Sequence, residues 1–216
     1  MKGALIGLDI YNPLASVVVF QYNPEKLTRS LTGQFTGGRR PEGAGAAADS
    51  STPQPLRISG PPRESITLDV AIDATDQLEK GDALATSTGI YPALSSLENM
   101  LYPKTALVFA NQVLARLGVI SVQNPEAPLT LLIWGIKRIL PVRITQFSIT
   151  EEEYDPRLNP IRAHVQLGLT VQNYEDTGLL SAGGGIFMAH QIIKEVLATV
   201  NGIGTIANLG STGFSL

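Results

Sequence analysis

The sequence predicts a mainly β protein of the α+β type, with one internal helix and an amphipathic helix near the C-terminus. Residues 65–73 and 164–171 alternate apolar and polar side chains with period two, the pattern of strands with one face on a core and the other in water. Residues 90–101 and 186–200 instead repeat their apolar positions at helical spacing. A chain of 216 residues is long enough for one domain with a sizeable core, or for a domain and a small appendage. We divide it into a β body over residues 1–180, interrupted by a long flexible loop at 33–62, and a helix with a Gly-rich tail over 181–216.

The elements are justified in chain order. The opening stretch "MKGALIGLDIYNPLASVVVF" is apolar but is broken by Asp9, Asn12 and Pro13, so no secretion signal is read there. "ASVVVFQYNPEKLTRSLTGQF" gives a strand over 16–21, a turn at Asn23-Pro24 and a second extended piece through Thr28, Ser30 and Thr32, a hairpin or a strand with a sharp corner. Residues 33–62 are rich in Gly, Ala, Ser and Pro with almost no large apolar side chain. They cannot bury enough surface to offset the entropy of ordering. "ESITLDVAID" places Ile66, Leu68, Val70 and Ile72 on one face, and Thr67, Asp69 and Asp73 on a wet one.

In "GIYPALSSLENMLYP", Ile90, Leu94, Leu97 and Leu101 form a helical stripe. Ser87 or Thr88 is available to cap it, Pro92 fits only its first turn, and Pro103 stops it. "TALVFANQVLARLG" fits either a short helix ending at Gly118 or a buried strand. "LTLLIWG" is a buried strand by composition. Over 136–150, Val142 and Ile144 share a face that Phe147 and Ile149 do not, so a bulge or a strand shared between two surfaces is expected. The turn "YDPRLNP" delivers the last strand, with Val165, Leu167, Leu169 and Val171 inward. Behind a triple-Gly hinge, Ile186, Ala189, Ile193, Val196 and Val200 make an apolar stripe that needs a cover. His190, Gln191, Lys194 and Glu195 lie opposite it.

Composition excludes several function classes. Hydrophobic residues make up 44% and charged residues 16%, against a usual charged share of about 25%, so some apolar surface is expected to meet a partner. A formal net charge of -3 offers no general attraction to nucleic acid. Without cysteine there are no disulfides, thiolate metal sites or thiol nucleophiles. Residues 186–209 carry too many polar groups to insert in a membrane.

Chemistry-bearing clusters are also missing from the pattern. His164 lies on the polar face of a strand and His190 on the polar face of a helix, neither beside an evident catalytic partner. "EEEYD" at 151–155 lacks the spaced ligands and the Gly of a calcium loop and reads as a solvated turn. "GGRRPEGAG" and "SAGGG" lack a phosphate-binding frame. Arg39-Arg40 reads as a contact for an acidic partner or as a bare solvated loop. With no nucleophile, base and orienting group assembled, no enzymatic activity, cofactor or metal is expected.

Four stretches in register over residues 16–171 resemble the tube and baseplate proteins of contractile injection systems, the phage-tail-like particles. "VVVFQYNPEKLTRS" is similar to their opening "FNPE"-type strand, and "RESITLDVAIDAT" to their second strand ending on Asp73. "LLIWG" is similar to their Trp-Gly strand, and "EEEYDPRLNPIRAHVQLGLTV" to the closing turn and strand. The resemblance implies a tail-tube-like β-barrel or sandwich, assembled in the cytoplasm into a hexameric homo-oligomeric ring. That ring would connect a VgrG-like spike and baseplate hub to the inner tube.

It assigns Phe20, Tyr22, Asn23 and Pro24 to shaping the first hairpin, Trp134 to the core, and Asp155, Pro160, Arg162 and Ala163 to the closing turn. Arg162 would pair with Asp155 or with a neighbour's carboxylate. Arg39, Arg40, Ile186, Ile193 and Val196 are interface candidates. The LysM module that follows the barrel in many relatives is not evident after Val171. The alternative is a peptidoglycan- or glycan-binding β-module, for which one Trp, six Tyr and six Phe, mostly within strand or helix patterns, give a poor exposed platform.

Overall fold

The computed structural model describes residues 2–8, 17–36, 55–103, 105–118 and 129–211, with side chains to 206. Among these residues the strands are β1 (Ala4–Leu8), β2 (Val17–Val19), β3 (Leu27–Thr36), β4 (Arg57–Asp73), β5 (Leu129–Ile133), β6 (Ile139–Glu151) and β7 (Arg162–Val171). They form one seven-stranded antiparallel sheet in the order β2-β1-β5-β6-β7-β4-β3. The helices are α1 (Thr75–Glu79), α2 (Ala83–Thr88), α3 (Tyr91–Glu98), α4 (Thr105–Arg116), α5 (Tyr174–Thr177) and α6 (Ala182–Ser211). The class is α+β with the sheet dominant, as the periodicity requires.

The resemblance implied a barrel or a sandwich; the sheet is open and is not a closed barrel. β2 and β3 do not pair with each other; they stand at its two ends. The expected hairpin around Asn23-Pro24 is therefore a link between opposite edges. Phe20 N–H donates to the Gly3 carbonyl beside β1 at 2.8 Å, and the neighbouring Gln21 Oε1 accepts from Asp73 N–H at the end of β4 at 3.1 Å. In a flat sheet β1 and β4 would lie about 19 Å apart, at about 4.8 Å per strand. Adjacent residues touch both, so the sheet curls until its β2-β1 end faces β4. Side chains complete the closure that backbone ladders leave unfinished.

Inside the curl lie Leu5, Val18, Phe20, Ile66, Leu68, Val70, Leu132, Leu140, Val142, Val165, Leu167 and Leu169, all buried. The β4–β7 register matches the alternation: Leu68 faces Leu167, Val70 faces Val165 and Ile66 faces Leu169. β6 keeps its face by a bulge. Ile144 pairs with Leu169 and Gln146 with Gly168, so Thr145 is the extra residue, and beyond it Phe147 and Ile149 rejoin the inner face opposite Leu167 and Val165.

Helices plug the two ends of the curl. α3 brings Leu94 and Leu97, with Ile90 before it, against the β2 end, while Leu101 lies beyond the helix and is exposed. Its cap is not Ser87 or Thr88, which belong to α2; Ile90 occupies the N-cap without a side-chain bond. α6 covers the other end through Phe187, packed edge-on against Tyr174, and through His190.

Several expectations are corrected. More than one internal helix is described: α1 and α2 precede α3, and residues 105–116 choose helix over strand as α4. Residues 33–36 and 57–62 belong to β3 and β4, because the ladder extends outward to the pairs Phe35–Ile58 and Thr36–Arg57 despite the polar composition. Residues 37–54, with Arg39 and Arg40, lie outside the described residues. The triple glycine is part of α6, where a Cβ on Gly184 would stand 2.2 Å from the Gly178 carbonyl oxygen. Small size there permits helix docking.

Candidate assembly surfaces

The closing turn is a scaffold built from its own sequence. Asp155 Oδ1 accepts from Arg157 and Asn159 N–H at 2.7 and 2.8 Å, and its Oδ2 from Asn159 Nδ2 at 2.8 Å. These bonds, the Asn159 side chain first, hold the Asp155 carboxyl below its usual range. Arg162 pairs with Asp73 Oδ2 (2.8 Å) and Glu153 Oε1 (2.9 Å), and not with Asp155, which is consumed by its own turn. Burial would raise Asp73, but bonds from Thr75 and Arg162 outweigh it and lower its pKa; Asp73 first among the causes, Arg162 is raised. The buried Pro160 presents its carbonyl to Ile90 N–H at 2.9 Å, and Asn159 Nδ2 reaches the Ser87 carbonyl at 3.2 Å. Ala163 is fully buried between Ile72 and Glu151. The turn thus fixes the start of β7 and seats the α2–α3 corner upon it.

The opening motif shapes the sheet's curl. Phe20 is buried and tilted against half-buried Trp134 at 6.4 Å. Asn23 Oδ1 accepts from Gly3 N–H at 2.8 Å, Pro24 is half-buried, and Tyr22 is exposed. Beneath this link runs a groove of about 760 Å³, lined by Tyr22, Asn23, Lys26, Asp69 and His164 among others. His164 stands 3.7 Å from Asp69 and 3.9 Å from Glu152.

Three uncovered surfaces surround this frame. Among the described residues, no strand flanks β2 or the outer side of β3. Val17 and Val19 are exposed on β2, as are Leu31 and Phe35 on β3. α4 buries none of its residues and presents Val108, Phe109 and Val113 to solvent. α6 leaves the body after its first turns: Ile193 (38%), Val196 (57%), Val200 (60%) and Ile203 (65%) form an exposed line, with Ile186 half-buried near its start. No helix among the described residues is long and apolar enough to cross a membrane.

Sequence reasoning missed one polar centre. Glu64, 4% exposed, faces inward two residues before Ile66. Arg29 contacts its Oε1 through Nη2 at 2.6 Å, and Lys194 Nζ lies 3.6 Å from Oε2. His190 was expected on the outer face of its helix but is buried beside this centre, with neither ring nitrogen hydrogen-bonded. Burial first, then Lys194, lower its pKa; Arg29 and Arg138 add to this and Glu64 opposes it. The signal for Glu64 was its phase, since it continues the Ile66, Leu68, Val70 alternation.

No protein-family model matches the sequence, and no curated protein matches it. Among solved structures, a chain of the "Virion of native gene transfer agent (GTA) particle" overlaps 78% of this chain and 90% of its own length, at 12% identity and a TM-score of 0.30. That overlap does not define a common fold. Among the described residues, what the geometry defines is an open-edged, antiparallel α+β sheet protein.

Proposed function

We propose that this chain is a non-enzymatic structural ring subunit of a contractile injection particle, linking a VgrG-like spike and baseplate hub to the inner tube. The observation that carries the reading is that β2 and β3, at opposite ends of one curled sheet, have no outer strand partner among the described residues. Open edges invite strand pairing, and two different edges meeting head to tail close a ring when the rotation between copies is right. Six copies and the tube-facing role come from the resemblance of the four motif stretches. Those stretches fall where ring geometry is set: the Asn23-Pro24 link governs the curl, and Arg162 ties the closing strand to Asp73 of the second motif strand.

The test is light scattering after size exclusion, with negative-stain imaging, on the chain alone and seeded with spike and tube proteins. Sixfold rings are expected. Phe20 N–H points at β1, so by strand alternation Val19 N–H points to the open edge, and Val19→Pro removes an edge donor without touching the inner ladder. That variant should keep its circular dichroism and lose assembly. A chain that stays monomeric with and without its seeds, or one that pulls down peptidoglycan as a monomer, overturns the proposal.

A further inference from the structure

α6 is anchored in an unusual way for a helix of its apolar character. Its exposed half carries the aliphatic line, while the docked half places Phe187, His190 and Lys194 over the mouth of the curl at Glu64. His190 is 6% exposed, and neither Nδ1 nor Nε2 has a hydrogen-bond partner. A neutral imidazole there leaves one donor and one acceptor unpaired, whereas an imidazolium leaves two donors and a buried charge unpaired, which costs far more.

The charges around it make the mismatch directional. Arg29 on β3, Arg138 in the β5–β6 turn and Lys194 on α6 itself act on His190, and Glu64 on β4 is the carboxylate among these groups. That carboxylate is already engaged by Arg29 and Lys194. On the other elements packed against α6, Arg143 of β6 is exposed, Glu175 of α5 lies over Gly60, and Asp176 of α5 accepts from Asn173 N–H. None supplies a spare anion to the imidazole. Apolar packing of the docked half rests mainly on Phe187, with half-buried Ile186 and Met188 beside it, and beyond the close-seated Gly183 and Gly184 the Lys194–Glu64 pair is its polar tie.

We propose that α6 is an acid-released arm: a proton on His190 expels the first turns of α6 from the mouth of the sheet, and loss of that proton lets them dock again. The inference is independent of the ring reading. The sign follows from linkage. His190 has its pKa lowered from 6.5 in the folded chain, so docking is complete above that value and is lost as pH falls from it through the folded value.

Hydrogen exchange on the full chain, corrected for intrinsic rates, tests this. Between about pH 7.5 and about pH 5, protection of residues 186–194 should fall about tenfold or more while β7 amides stay unchanged. His190→Gln, which does not titrate, should hold one level of protection across that range. An NMR titration of the wild-type His190 imidazole should share its midpoint with the exchange change, a readout that stands if the variant fails to fold. Protection that ignores pH in the wild type, an equal fall in His190→Gln, or a different imidazole midpoint each overturns the proposal.

Discussion

Gly89 sits at φ 57° and ψ −134°, a region closed to residues with a Cβ, and a Cβ there would come 2.2 Å from the Pro160 carbonyl oxygen. Gly89→Ala should cost at least about 1–3 kcal/mol in urea unfolding. Glu64→Gln leaves the partly exposed Arg29 and Lys194 facing a neutral amide, and a loss of about 1.5–3 kcal/mol is expected, the worth of a hydrogen bond to a charged group. Asp155 is a pH case. Its folded pKa lies below the ordinary 3.8, so its stabilisation is complete above that value and is lost as pH falls through the folded one. Asp155→Asn should be less stable at neutral pH, with its thermal unfolding curve converging on the wild type in acid. The sequence marked Asp155 and Arg162, with Asp155 or a neighbour's carboxylate as the partner of Arg162; within the chain that partner is Asp73, with Glu153, and not Asp155. A turn motif shows that a carboxylate is bonded locally; Asp73, distant in sequence, becomes Arg162's neighbour only through the β4–β7 register.

Among the elements, those with strict periodicity were legible and those defined by tertiary neighbours were not. β4, β7 and α3 announce themselves because each has one buried face. β1 does not: its inward Leu5 is flanked by Gly3, on which Phe20 and Trp134 press, and by Gly7, while Ala4, Ile6 and Leu8 on the other face are apolar too, so no apolar-polar alternation is there to read. α6 was legible as a helix with its faces reversed. Periodicity shows which side is apolar, whereas docking here follows Lys194 to Glu64. The switch of apolar phase in β6 was visible, and its cause is the bulge at Thr145. Deleting Thr145 leaves Ile144, Gln146 and Phe147 to pair with Leu169, Gly168 and Leu167 in unbroken alternation, so Phe147 and Ile149 stay inward and only the local bend of the bulge is lost. The deletion should move Tm by no more than about 2–4 °C, what about 1 kcal/mol produces in a domain of this size; a much larger fall would show that the bend of the bulge, and not only its residue count, seats β6 on β7.

For the whole molecule, curvature is the property that local pattern does not encode. Alternation specifies which face of each strand is inward, and a closed barrel, a sandwich and an open curl all satisfy it. Here the choice falls to the link from Phe20 to Lys26, which draws the β2-β1 end toward β4 through Gln21 and Asn23. If edge pairing builds a ring, the angle between β2 and β3 fixes how many copies close it, and that angle depends on the link. Gln21→Ala with Asn23→Ala should therefore cost only about 1 kcal/mol per lost bond in the monomer. The assembled particles should change much more, with rings of mixed diameter or open arcs replacing a single size in negative stain. Rings of unchanged diameter from the double variant would show that the strands alone dictate the curl.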